Sequence, residues 1–182
     1  MTGFAVATSG CAPLLVGGAA TAGVVAVQER GFKGAVSDAA IQAQINDLWF
    51  RHDVEMYRRL DMTVDQGRVL LTGRATTPEM RLDAVRIAWQ ADGVSEVINE
   101  IEVDDQSGIQ DSARDTWIGA QLRSRLMLDR DVSSINYTID VVNGIVYLIG
   151  TAKSQAELDR VTGHARSLPN VKRVVSYVRQ PQ

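Results

Sequence analysis

A tryptophan surrounded by arginines is the most distinctive group of side chains in this sequence. Trp117 lies in the stretch DSARDTWIGAQLRSRL, residues 111–126, together with Arg114, Arg123 and Arg125. Guanidinium groups attract anionic groups, and an amphipathic indole ring inserts readily at a membrane–water interface. The combination is typical of a binding surface, and the first question is which element positions it.

The sequence offers few groups for catalysis or metal binding. Cys11, His52 and His164 are the only cysteine and histidine residues, which are too few for a zinc site. No Walker loop, GxGxxG fingerprint, GxSxG elbow or HExxH helix is present. The formal net charge of −3 also lacks the basic character of a nucleic-acid-binding chain. We therefore expect no enzymatic activity, cofactor, metal, small-molecule substrate or nucleic-acid partner.

A helix over this stretch would turn the tryptophan outward. Ile118, Leu122 and Leu126 recur at helical spacing and predict a buried face, from which Trp117 lies well over a right angle away. Three explanations for an outward Trp117 stay open at this point. The ring contacts lipid, packs against the other half of the chain or the linker between the copies, or docks on a partner protein.

The first 27 residues contain no charged side chain, and this predicts a targeting or anchoring segment. Thr8, Ser9 and Gly10 before Cys11 resemble a bacterial lipobox. We expect residues 1–10 to be part of a signal peptide, Cys11 to be lipidated, and residues 11–36 to form a tether rich in small residues. A transmembrane or uncleaved anchor is the first alternative, because roughly 20 apolar residues span a bilayer. A buried apolar helix is the second.

The rest of the chain repeats itself at a constant offset. Asp38 matches Asp115 and Gly67 matches Gly144, and the matches continue to the last strand without an insertion. This predicts two domains, over residues 37–103 and 113–180, joined by a linker over residues 104–112.

Each copy has the same predicted order of elements. An amphipathic helix comes first, and a hairpin follows around Asp65-Gln66-Gly67 or Asn143-Gly144. Thr77 or Ser154 then caps a second helix, and a last apolar strand closes the unit. The order α-β-β-α-β predicts an α+β fold in which two helices pack on one face of a three-stranded mixed sheet.

Apolar stripes indicate which other tryptophans are buried. Ile41, Ile45 and Trp49 share a face of the first helix, and Leu82 and Trp89 share a stripe of the second. We therefore expect both Trp49 and Trp89 to lie in the core of the first copy.

The two copies differ in charge. Residues 37–103 contain seven arginines and twelve acidic residues, a net charge of −5. Residues 112–180 contain ten basic and six acidic residues, a net charge of +4. The asymmetry favours a division of labour in which anionic headgroups attract only the second copy.

The repeated unit resembles the BON domain through its hairpins VDQGRVLLTG and VVNGIVYLIG and its last strands GVSEVINEIEV and NVKRVVSYV. With Cys11 and its tether, the whole chain resembles the dual-BON outer-membrane lipoproteins of the YraP (DolP) type, which are related to OsmY. The resemblance implies a non-enzymatic periplasmic protein that binds phospholipid and supports outer-membrane integrity and stress tolerance.

The resemblance also places lipid contact on the first helix of the second domain, where its motif maps onto Trp117 and Arg123. Around these two we predict a lipid-binding set on the same helix, in which Gln121 stands where such proteins can carry lysine. Its members are Arg114, Asp115, Thr116, Trp117, Gln121, Arg123, Ser124 and Arg125.

The predicted location is the periplasmic face of the outer membrane, with the periplasm or an inner-membrane anchor as alternatives. The predicted partner is an anionic phospholipid membrane. The alternative function is an adaptor in outer-membrane assembly, in which Trp117 docks on a protein.

Overall fold

A computed structural model describes residues 31–104 and 109–180, and gives side-chain surroundings for residues 38–104 and 112–180. The predicted anchor, with Cys11, lies outside the described residues. The first copy comprises α1 (Gly31–His52), α2 (Val54–Arg59), β1 (Leu60–Asp65), β2 (Arg68–Ala75), α3 (Pro78–Ala88), β3 (Glu96–Asn99) and β4 (Glu102–Val103). The second comprises α4 (Ile109–Leu128), a 3₁₀ turn (Ser134–Asn136), β5 (Tyr137–Val142), β6 (Ile145–Thr151), α5 (Gln155–Arg166) and β7 (Arg173–Arg179).

The predicted α+β class and mixed sheets are confirmed. In each copy the first two strands pair antiparallel and the last pairs parallel to the second. The first copy departs from the repeat in two places. Its residues Val54–Arg59 form the short helix α2, where the second copy has only the 3₁₀ turn, and the N-cap Asp53 accepts a hydrogen bond from the Glu55 N–H. Its last strand is divided into β3 and β4, which both pair with β2.

Both hairpins turn through two residues. Gln66 and Gly67 have φ values of 53° and 76°, and Asn143 and Gly144 have 54° and 77°. Two consecutive left-handed residues are the geometry of a type I′ turn, which suits the twist of paired strands. The turns fix the register that sends Val69 and Leu71, or Val146 and Leu148, toward the helices.

Each copy buries its own core between helices and sheet. Trp49 is buried as predicted, and its indole N–H donates to the Ala84 carbonyl over 3.2 Å. The helices of the second copy contribute Ile118, Leu122, Leu126, Val161 and Ala165. Thr77 and Ser154 cap the second helices as predicted, accepting from the Met80 and Glu157 N–H groups.

The expectation for Trp89 is wrong. Its side chain is 52% exposed and that of Leu82 is 63% exposed. The buried face of α3 is formed by Ala84, Ile87 and Ala88 instead. Leu82 and Trp89 therefore face away from the sheet, although Ile87 is buried.

The two sheets pack back to back. Leu70 of β2 contacts Tyr147 and Ile149 of β6 in a third buried cluster, separate from the two domain cores. Because the helices of each copy lie on the other face of its sheet, the described part of the chain has four layers in the order helix, sheet, sheet, helix. The helices of the two copies thus form opposite outer layers.

Polar contacts complete this interface. The buried Arg68 donates to Glu96 over 2.8 Å and to the Tyr177 carbonyl over 2.8 Å, and Arg179 reaches the same Glu96 over 3.2 Å. The Tyr177 hydroxyl donates to Glu100. The Arg179–Glu96 ion pair therefore joins a cation of the second copy to an acidic residue of the first, so the charge asymmetry contributes to domain association as well.

Candidate functional site

Helix α4 carries the candidate site on the side turned away from its own sheet. Ile118, Leu122 and Leu126 are fully buried against β5 and β6, so successive turns present the opposite side to solvent. The exposed residues on that side, which we call the outward face of α4, are Trp117, Ala120, Gln121, Ser124, Met127 and Leu128.

Trp117 is 43% exposed. The contact between the copies is made by the sheets, on the far side of α4's own sheet, so packing between the domains is not what holds the indole. A lipid and a protein partner remain as explanations for its outward position. Packing against the linker concerns the side chains of residues 105–111, which lie outside the described part of the chain.

Met127 and Leu128 extend the apolar surface beyond Trp117. They are 75% and 80% exposed, and Leu128 follows Trp117 by about three helical turns on the same side of the helix. Sequence reasoning missed both residues because they follow the charged LRSRL string. The signal was the spacing of Leu128 relative to Trp117.

Arginines line one edge of the outward face. Arg114 lies about one turn before Trp117 and Arg125 about two turns after it, on the same flank. Arg125 donates to the Ser167 hydroxyl over 2.7 Å. Because this partner is neutral, the bond holds the guanidinium in place without cancelling its charge. The outward face therefore combines an apolar stripe with positive charge along one side.

Two residues of the predicted lipid-binding set, Asp115 and Thr116, make hydrogen bonds within the second copy. The Asp115 carboxylate accepts the Asn143 and Gly144 N–H groups over 2.6 and 2.8 Å and so closes the β5–β6 turn. Its counterpart Asp38 does the same for the turn of the first copy. Thr116 donates its hydroxyl to the Ser112 carbonyl. These hydrogen bonds give both side chains a structural role within the domain.

Arg123 lies on the other flank of α4, between the two copies. It donates to the Ile139 carbonyl over 2.8 Å and lines a cleft with Asp140 and Arg74. The structure therefore separates the predicted set. Trp117, Gln121 and Ser124 are on the outward face with Arg114 and Arg125 at its edge, whereas Asp115, Thr116 and Arg123 line the cleft.

Asp129, the residue after α4, is bound by side chains of α5. The Asp129 carboxylate lies 2.7 Å from the His164 imidazole and 3.3 Å from the Arg160 guanidinium. Hydrogen bonds from His164, the Asp131 N–H and Arg160 together lower the pKa of this carboxyl to about 2. The Asp129 carboxylate beside Leu128 is thus bound by His164 and by the Arg160 guanidinium of α5, which reduces its repulsion of an anionic surface.

The described residues contain neither a group of metal-ligating side chains nor a helix that could span a membrane. Within them, no three His, Cys, Asp or Glu side chains cluster closely enough to hold a metal ion. None of the helices in residues 31–104 and 109–180 has the length and apolar character needed to cross a bilayer.

Comparison with known families gives two matches within the chain. The family model for the BON domain matches residues 37–105 and again residues 114–182. The resemblance drawn from the two hairpins and last strands is thereby confirmed.

Several relatives match most of the chain. An Anaplasma centrale protein named "Uncharacterized protein in gshII 5'region" is 43% identical over 145 residues, covering 79% of this chain and 95% of its own. "Outer membrane lipoprotein DolP" of Haemophilus influenzae is 24% identical over 176 residues, covering 96% and 91%. "Osmotically-inducible protein Y" of Escherichia coli is 28% identical over 141 residues, covering 76% and 70%.

Proposed function

The chain belongs to the BON-domain family, and from this premise we propose that it is a non-enzymatic protein of the bacterial envelope that binds anionic phospholipid through the outward face of α4. The relatives named outer membrane lipoprotein DolP and osmotically-inducible protein Y support an envelope protein related to the outer membrane. Lipidation at Cys11, attachment to the periplasmic face and a role in membrane integrity belong to the same proposal.

The observation that carries the proposal is an exposed indole on a rigid helix. Trp117, Met127 and Leu128 offer apolar surface to the headgroup region, while Arg114 and Arg125 approach phosphates from one edge. Each arginine near an anionic membrane surface contributes about 1 kcal/mol, and salt screens this attraction. Gln121 lies within the outward face and adds no charge. The electrostatic part of the binding energy therefore comes from the arginines at the edge of that face.

The test is sedimentation of residues 31–182 with vesicles, since without the uncharged N-terminal segment only the domains can hold the protein at the membrane. We expect binding to vesicles containing phosphatidylglycerol, weak binding to pure phosphatidylcholine, and loss of affinity as salt rises. Replacing Arg114 and Arg125 by glutamine should weaken binding by about tenfold or more.

The matched control removes the same charge from the opposite outer layer. Arg51 and Arg86 are exposed arginines of α1 and α3, and their replacement by glutamine should leave vesicle affinity within about twofold. Equal binding to both lipids, or no binding to either, would contradict the proposal. If the fragment ignores vesicles but retains a protein through Trp117, the adaptor function replaces it.

A further inference from the structure

The two copies enclose a polar cleft of about 630 Å³, which we call the interdomain cleft. The first copy forms one wall with α2, β1 and β2, and the second forms the other with α4 and β5. Its volume suits a small ligand. The site differs from the outward face of α4, which lies on another side of that helix.

Four guanidinium groups line the interdomain cleft, those of Arg58, Arg59, Arg74 and Arg123. Three of them come from the copy whose net charge is −5. At the matching positions of the second copy stand Ile135, Asn136 and Thr151, none of which is charged. The repeat therefore folds without cations at these positions, so the fold itself does not explain why the first copy gathers three arginines there.

The carboxylates of the cleft are engaged by protein donors. Asp61 accepts from the Met62 N–H and Glu55 binds Arg59. Asp140 accepts from the Thr72 hydroxyl and the Val141 N–H. Burial, together with the nearby Asp61 carboxylate, raises the pKa of Asp140.

Two arginines have donors to spare. Arg58 is exposed and makes no hydrogen bond or ion pair with any residue in the described part of the chain. The guanidinium of Arg123 uses one N–H on the Ile139 carbonyl. A guanidinium group has five N–H donors, so most of its capacity stays available to a ligand.

The path of Arg123 into the cleft depends on a glycine. A Cβ at Gly119 would stand 3.1 Å from the Arg123 Nη1 atom, so the absence of a side chain lets the arginine cross the helix surface. In the first copy, Gln42 occupies the Gly119 position and donates to the Met62 carbonyl, the equivalent of Ile139. A neutral amide thus suffices for this carbonyl, and Arg123 brings a positive charge that the contact does not require.

We propose that the interdomain cleft binds a phosphate group bearing a small polar substituent, either the headgroup of a phospholipid or a soluble phosphate ester. Planar guanidinium groups match phosphate oxygens in pairs, and several of them converge here from both copies. Such a ligand would bridge the domains, with Arg58 and Arg74 on one side and Arg123 on the other.

The test follows the arginine Nε–Hε signals of the full chain in non-ionic detergent by NMR. The probes are inorganic phosphate and glycerophosphoglycerol, with sodium chloride at matched ionic strength as the reference. We expect saturable shifts of the Arg58, Arg74 and Arg123 signals with a phosphate probe and none with chloride. Absence of saturable shifts at these arginines in the wild-type chain would overturn the proposal, whatever the variants do.

Variants separate this site from the outward face of α4. Replacing Arg58 and Arg74 by glutamine should weaken phosphate binding by at least about tenfold, whereas replacing Arg51 and Arg86 should not. The Trp117→Ala chain should keep the phosphate response even if it loses vesicles. If the Arg58 and Arg74 variant also loses affinity for phosphatidylglycerol vesicles, the source is a lipid headgroup. Unchanged vesicle affinity assigns the site to a soluble ester.

Discussion

Replacing Trp117 by alanine should weaken binding of residues 31–182 to phosphatidylglycerol vesicles by about 10- to 100-fold. A fully buried tryptophan removes roughly 150 to 250 Å² from water at about 25 cal/mol per Å². Because the ring is only 43% exposed before binding and enters a polar interface, we expect it to contribute about 1.4 to 2.8 kcal/mol of that maximum. Sedimentation over a lipid titration measures the change.

Trp89 supplies the matched control. It is exposed to a similar degree but is the C-cap residue of α3, in the opposite outer layer. Replacing Trp89 by alanine should leave vesicle affinity within about twofold, because a flat membrane cannot contact both outer layers at once. Equal losses for the two variants would point to a non-specific effect of surface tryptophans.

Replacing Gly150 by alanine should destabilise the second copy by about 3 kcal/mol or more. Gly150 is the last residue but one of β6 and has a φ of 143°, and a Cβ there would stand 1.9 Å from the Asn136 carbonyl oxygen. Neither the strand nor the 3₁₀ turn before β5 can accommodate that atom without shifting. Urea denaturation followed by circular dichroism measures the loss.

The same substitution at Gly163 should have the opposite sign. Gly163 lies inside helix α5 and an added Cβ would meet nothing within 4 Å. Alanine there should stabilise the chain by about 0.5 to 1 kcal/mol, because it restricts the unfolded state and favours the helix. A Gly150→Ala chain within about 1 kcal/mol of the wild type would show that the close approach to Asn136 is not limiting.

The fold was predictable because the sequence contains two copies of the same pattern of helices and strands. Matching hairpins, with Gly67 and Gly144 at equal positions, reveal the repeat without knowledge of distant contacts. The turn residues and the helix caps Thr77 and Ser154 act locally, so their signals are readable from a few neighbours.

Trp89 was mispredicted because the size of an apolar side chain does not decide which face a helix buries. Ala84 and Ala88 face the sheet, while Leu82 and Trp89 face solvent. The apolar stripe of α3 includes both sets, and only the packing of the helix on the sheet distinguishes them.

The site was predictable in part for a similar reason. The position of Trp117 relative to Ile118 and Leu122 gives its outward direction from helical spacing alone. The duties of Asp115 and Arg123 depend on β5 and the following turn, which lie far along the chain. Contacts of this kind need the tertiary structure, and the interdomain cleft needs both copies.

The most direct test of membrane contact by Trp117 uses quenching of tryptophan fluorescence by brominated phosphatidylglycerol. Trp49 is buried and Trp89 faces away from α4, so the indole of Trp117 should be the one that bromine quenches. With vesicles in excess, we expect quenching of the wild type and of Trp89→Phe, and its disappearance in Trp117→Phe while the protein still sediments. Quenching that persists in Trp117→Phe would contradict insertion of this ring into the membrane.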